Sequence, residues 1–230
     1  DGFTITRGYT TVGGGGVYVD ASTGGSSTIQ NCIIAYNSAR YSPGGSDPHG
    51  GGLFIRGGCD VLNCIVAYNV AEGNGGGIYW LNGFGSLQRS RIRDNEVGAE
   101  GEVGAEGGGA GIALQESNVL IAYSEINDNS QAFLGARGHG GGIACYGSSS
   151  PFIVGCYIHH NEVLGGFRKI RGLMGGGIFV DSGHPIIWYC TIRENFARRG
   201  GGIACAEGSS PIIANCLIVS NAALFIEYDG

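Results

Sequence analysis

Apolar and polar positions alternate along this chain in short bursts. A glycine block opens each burst: "GGGVYVD" (14–20), "GGGLFIR" (50–56), "GGGIYWL" (75–81), "GAGIALQ" (109–115), "GGGIACY" (140–146), "GGGIFVD" (175–181) and "GGGIACA" (200–206). A second burst ends in asparagine: "CIIAYN" (32–37), "CIVAYN" (64–69), "SRIRDN" (90–95), "SEINDN" (124–129), "CYIHHN" (156–161), "CTIREN" (190–195) and "CLIVSN" (216–221). β-Branched and aromatic residues in runs this short, with no helical period, predict strands. The glycine blocks start 25 to 36 residues apart, so the unit is constant while its loops vary.

Each unit reads as a strand, a turn such as "YGSSSP" or "AEGSSP", a second strand such as "FIVGCYI" or "IIANCLI", and a loop back to the next glycines. One coil cannot bury its own apolar face, whereas a stack can. A single domain over 1–230 is therefore expected, built from seven to eight coils of parallel sheet, with "FTITRG" (3–8) as a partial first coil. Within "C-x-I" the Cys and Ile should face inward and the residue between them outward. The position before the Cys is often Asn31, Asn63, Asn215 or Gly155, types that tolerate the left-handed backbone of a sharp bend. Five residues after the Cys or Ser, every copy has Asn: Asn37, Asn69, Asn95, Asn129, Asn161, Asn195 and Asn221, predicted to stack as a hydrogen-bonded ladder.

Composition narrows the classes. The 47 glycines have no three-residue period, which excludes collagen, and 43% hydrophobic residues exclude general disorder. A net charge of −6 argues against a nucleic-acid partner, the one basic cluster being the short "FRKIRG" (167–172). No apolar run is long enough for a membrane span. No signal peptide is visible, and "DGFTITRG" reads as the inside of a longer protein. Of the eight cysteines, Cys32, Cys64, Cys156, Cys190 and Cys216 share one repeat column with Ser90 and Ser124. That exchange suits small buried fillers, mostly reduced, although Cys32 with Cys64 and Cys156 with Cys190 would be near enough to bond. With little capping at "DGFTITRG" and "AALFIEYDG", end-to-end self-association or flanking sequence is expected.

The succession of "GGGI", "SSP", "NC" and the ladder Asn resembles the right-handed parallel β-helix repeats of the pectate-lyase-like superfamily. It is similar to the Gly-Gly-rich repeats of bacterial surface proteins, including polymorphic outer-membrane proteins. The resemblance implies an all-β right-handed parallel β-helix (solenoid), a secreted or cell-surface location and a polysaccharide or other glycan as partner. For activity it implies less, because the fold hosts lyases, glycoside hydrolases, epimerases, adhesins and fibres. In the enzymes it resembles, the site lies on the glycine-block strand and its preceding loops. Here the densest ionisable cluster sits on the opposite rim, so no catalytic role carries over residue by residue.

That cluster occupies the four middle copies of the second burst. Where outer copies carry Ile, Ala, Tyr, Val and Ser, the middle ones carry Arg91, Arg93 and Asp94; Glu125, Asn127 and Asp128; Tyr157, His159 and His160; and Arg193 and Glu194. Four coils about 4.8 Å apart span roughly 14 Å, the length of a few sugar residues. The corner column Asp94, Asp128, His160, Glu194 is expected to bend outward, since stacked charges in an apolar core are costly, while Tyr36 and Tyr68 tuck in. Asp94 and Asp128, roughly 5 Å apart at the backbone, would raise one pKa as a general acid requires. Long loops at 38–49, 96–107, 130–139 and 162–174 would wall a cleft. Tyr79 and Phe179 on the glycine-block strands are candidates to stack on sugars, unless loops cover them.

A glycoside hydrolase would draw its acid and base or nucleophile from Asp94, Asp128, Glu125 and Glu194. A lyase would use His159, His160 or Tyr157 as base, with Arg91, Arg93 or Arg193 neutralising a uronate and Asn127 binding substrate. Carboxylate abundance favours hydrolysis slightly. No zinc spacing appears, the tandem "EVGAEG" loop (96–107) suits a solvated duplication better than a calcium cage, and no cofactor is called for. The alternative is a non-catalytic surface, adhesive or carbohydrate-binding module whose middle strip is salt-bridged. The deciding feature is whether the carboxylates perturb one another in an open cleft or pair off with the arginines.

Overall fold

In-register parallel pairing of like residues generates the architecture. In the computed structural model, which describes residues 1–42, 48–98, 107–133, 138–165 and 172–223, every strand pair is parallel. Ile34 pairs with Val66, Val66 with Ile92, Ile92 with Ile126, and so on through Ile158 and Ile192, all fully buried. Each of these side chains contributes roughly 1.5–3 kcal/mol by burial. The partners lie one coil apart, which makes the molecule a parallel β-helix.

Each coil has four faces. The first carries the glycine-block strands, such as Ile112–Gln115 and Ile143–Tyr146, and the second carries Asn118–Ala122, Phe152–Val154, Ile186–Trp188 and Ile212–Ala214. In the early coils the two run together as Val17–Gln30, Leu53–Leu62 and Ile78–Gln88, so they hydrogen-bond as one 11-stranded sheet. The third face is eight three-residue strands, Thr4–Thr6 through Leu217–Val219. The fourth is eight short strands, Tyr9–Thr10 through Ala222–Ala223, in segments the sequence pattern assigns to loops.

The single strand expected over "FIVGCYI" is two, Phe152–Val154 and Tyr157–His159, split by Gly155 with φ of +62°. The equivalent bends fall at Asn31, Asn63 and Asn215, but also at Arg89, Tyr123 and Tyr189, all with positive φ. At the far end of each third-face strand, the Asn ladder forms as expected. From Asn37 to Asn195, each backbone N–H and Nδ2 donates to Oδ1 of the next Asn, and Nδ2 also reaches a third-face carbonyl of the preceding coil, as in Asn129 to Ile92. The ladder explains the third glycine of each block: a Cβ on Gly77 would lie 2.6 Å from the Gly111 carbonyl oxygen and 2.9 Å from the Asn95 amide.

The cysteine column is inward and its thiols are free. Its Ser members show why the two residues interchange. Ser90 Oγ accepts from the Cys64 N–H at 3.0 Å and donates to the Gln88 carbonyl at 2.9 Å, and Cys64 Sγ does the same between the Cys32 N–H and the Leu62 carbonyl. The column is a second hydrogen-bonded ladder as well as a filler.

Candidate functional site

Backbone geometry decides where the polar strip points. Each third-face strand is bracketed by left-handed residues, Arg89 and Asp94 around Arg91–Arg93 for example. Asp94, Asp128, His160 and Glu194 all have φ of 52° to 54°, which turns them out of the pleat at the corner. The same bend acts on Tyr36 and Tyr68, which do not tuck in. They are 62% and 38% exposed and stack on each other, centroids 4.9 Å apart and planes within 6°.

The strip is a chain of hydrogen bonds across four coils. Arg91 Nε lies 2.8 Å from Glu125 Oε2, and Glu125 Oε1 lies 3.1 Å from His159 Nε2. His159 Nδ1 and His160 Nδ1 are 2.7 Å apart, and His160 Nε2 meets Glu194 Oε2 at 3.0 Å. Arg193 closes the chain on the same oxygen at 2.9 Å. The two histidines thus link the Glu125 carboxylate to the Glu194 carboxylate through their facing Nδ1 atoms. Tyr157 stacks on His159 at 3.9 Å, and Arg193 sits over Tyr157 at 5.7 Å.

Asp94 and Asp128 turn back on their own sequence neighbours rather than toward each other. Asp94 accepts from Arg93 at 2.5 Å, and Arg93 also donates to Tyr68 Oη at 2.9 Å, a bond that raises the guanidinium pKa further. Asp128 accepts from Asn127 Nδ2 at 2.5 Å. Three of the four expected carboxylates, Asp94, Glu125 and Glu194, are thus paired with arginines, and among the described residues Asp128 has no cationic partner.

A concavity of about 400 Å³ opens at the corner between the third and fourth faces, lined by Asp128, His160, Asn161, Glu162, Glu194 and Phe196. It brings together Asp128, His160 and Glu194 of the expected set. Glu125, His159, Arg91 and Arg193 support it through the chain of bonds, with Tyr157 and Asn127 beside them, whereas Arg93 turns to Tyr68 and Asp94 instead. Besides the ladder residue Asn161, two lining residues lie outside the expected set: Glu162, which accepts from Ser130 Oγ at 3.1 Å, and Phe196. They follow the ladder Asn directly, at a position whose recurrence is visible but whose strands are too short to alternate.

Tyr79 and Phe179 do not serve as an exposed stacking surface. They are 5% and 2% exposed, lie under His49 and His139 with centroids 4.4 and 4.3 Å away, and burial pushes the Tyr79 phenol up to about 12. Residues 43–47, 99–106, 134–137 and 166–171 lie outside the described residues, and with them the middle of each expected cleft wall and most of the "EVGAEG" repeat and of the basic cluster. Among the described residues, no group of three or more His, Cys, Asp or Glu side chains is placed to hold a metal, and no helix is long and apolar enough to cross a membrane.

Comparison with curated proteins and with solved structures returns no match. A family model described as "Right handed beta helix region" matches residues 15–230. With the coil stack, the parallel register and the Asn ladder, that match makes the chain a member of the right-handed β-helix family.

Proposed function

We propose that the protein is a glycan-binding β-helix, seating a short polysaccharide segment at the corner pocket of the middle coils. The observation that carries this is the arginine pairing beside the pocket: Arg91 holds Glu125 and Arg193 holds Glu194. Carboxylates fixed this way are oriented acceptors for sugar hydroxyls. Phe196 supplies an apolar wall and His160 a polar one. A polysaccharide partner also implies a secreted or cell-surface location.

Glycoside hydrolysis is the second reading, favoured by Asp128. Without a cationic partner among the described residues, it shares the pocket with Glu194 and His160, the combination a base and an acid would need. A lyase is less well supported, because the arginines that would neutralise a uronate already face carboxylates.

The test is affinity electrophoresis on a panel of plant, algal and bacterial polysaccharides, with reducing-sugar and unsaturated-uronate release measured alongside. Retardation without release, weakened at least about tenfold in Asp128→Asn and Glu194→Gln, is the expected result. Sugar release that disappears in Asp128→Asn would replace binding with hydrolysis. Neither retardation nor release on any polymer would overturn both readings.

A further inference from the structure

The second face carries a surface unlike the polar strip beside it. Register aligns Leu120, Phe152, Ile186 and Ile212 in one outward column and Ala122, Val154, Trp188 and Ala214 in the next. The corner positions that follow are Tyr123, Gly155, Tyr189 and Asn215, all left-handed and turned out of the pleat. Across these four coils no outward position is charged, although the third face one corner away carries Arg91, Glu125, Arg193 and Glu194. Tyr123, Ile186, Trp188, Tyr189 and Ile212 are 40% to 64% exposed. A contiguous apolar surface of this kind on a protein of net charge −6 marks a contact site.

The rings form a floor. Phe152 and Trp188 lie 6.2 Å apart with planes 28° from parallel, and Trp188 meets Tyr189 at 5.0 Å. Gly155 leaves the gap that lets Tyr123 lie down, since a Cβ there would meet the Tyr123 ring at 2.8 Å. Three coils of rings extend about 10–15 Å, two to three sugar residues.

We infer that this floor is a second binding site, for a neutral β-linked polysaccharide whose sugar rings present flat C–H faces. Aromatic faces match those C–H faces, and the Tyr and Trp polar tips at the rim can bond the equatorial hydroxyls around them. A second apolar sheet would leave those tips without partners. A lipid surface or an acidic glycan would be met by several basic residues, and this face of the four coils has none; the nearest in the corner column is the lone Arg89, one coil before Tyr123. The site stands apart from the corner pocket, and different variants test it.

Fluorescence isolates it. The chain has two tryptophans, of which Trp80 is fully buried, so a ligand that shields indole from iodide reports on Trp188. Titration of the whole chain with cellohexaose and with chitohexaose, and retention on amorphous cellulose and on chitin, are the measurements. The expected result is saturable protection by at least one oligosaccharide with retention on the matching polymer. Trp188→Ala should weaken retention about tenfold and Tyr189→Ala several-fold, with circular dichroism unchanged and Gly25→Ala, where an added methyl meets nothing, without effect. Absence of protection and retention with both sugars would overturn the proposal, as would retention indifferent to Trp188→Ala. So would a dimer in sedimentation that Trp188→Ala dissociates, because the rings would then be covered by a second copy.

Discussion

Asn129 shows how much one side chain does in this fold. Fully buried, its Oδ1 accepts from both the N–H and the Nδ2 of Asn95, while its own Nδ2 donates to the Ile92 carbonyl and to Asn161 Oδ1. Alanine there removes the acceptor for Asn95 and leaves the Ile92 carbonyl short of a partner, so urea unfolding of Asn129→Ala should show a loss of about 3–5 kcal/mol. The inward thiols give a pH prediction. Burial raises Cys59 and Cys145 from the ordinary 9.0 to about 12. Between those values the unfolded chain has released protons that the folded one keeps, so stability is intact below pH 9 and falls as pH rises toward 12. The slope is ~1.4 kcal/mol per pH unit for each thiol. Urea midpoints at pH 8, 9.5 and 10.5 should decline accordingly, and less steeply in Cys59→Ala and Cys145→Ala.

At the scale of the element, the glycines divide into those the stacking requires and those it does not. Gly77→Ala drives a methyl into the Gly111 carbonyl and should cost about 2–4 kcal/mol, whereas Gly25, where an added methyl would meet nothing within 4 Å, should accept alanine within about 0.5 kcal/mol. Thermal melts of the pair check both. The coil stack, the inward Cys and Ile, and the Asn column are legible in the sequence because each recurs at a fixed offset within the unit. The two- to four-residue strands of the fourth face are not, since so few positions show no clear alternation, and Glu162 and Phe196 are hidden with them. Pairing within the strip is hidden for another reason. Which way Asp94 or Glu194 leans follows from a left-handed corner that the sequence marks only where Asn or Gly occupies it, and here Asp, His and Glu do. Tyr79 and Phe179 fail as exposed rings because His49 and His139 arrive from distant loop segments.

For the whole molecule, the terminal third-face strands, Thr4–Thr6 and Leu217–Val219, are hydrogen-bonded on one side within the described residues. Inward positions at the last coil, Ile213 and Ile218, are 41% and 46% exposed. We propose that the polypeptide of residues 1–230, tested by itself, associates end to end; flanking sequence that covers these coils is the alternative. Sedimentation velocity should show mass rising with concentration, and Ile218→Lys, which places a charge on the last described coil, should hold the chain monomeric; a wild-type chain monomeric at all concentrations would refute it.

The corner column has a further consequence. Tyr36, Tyr68, Asp94, Asp128, His160, Glu194 and Ser220 share φ of 52° to 57° despite their different chemistry, and Arg7, which Gly8 follows, joins them at 60°, so the corner and not the side chain it carries sets the backbone. Conformation and display are uncoupled there. The column works as a line of movable type, in which one letter per coil can be reset, or whole coils reordered, to write a new recognition surface on an unaltered press.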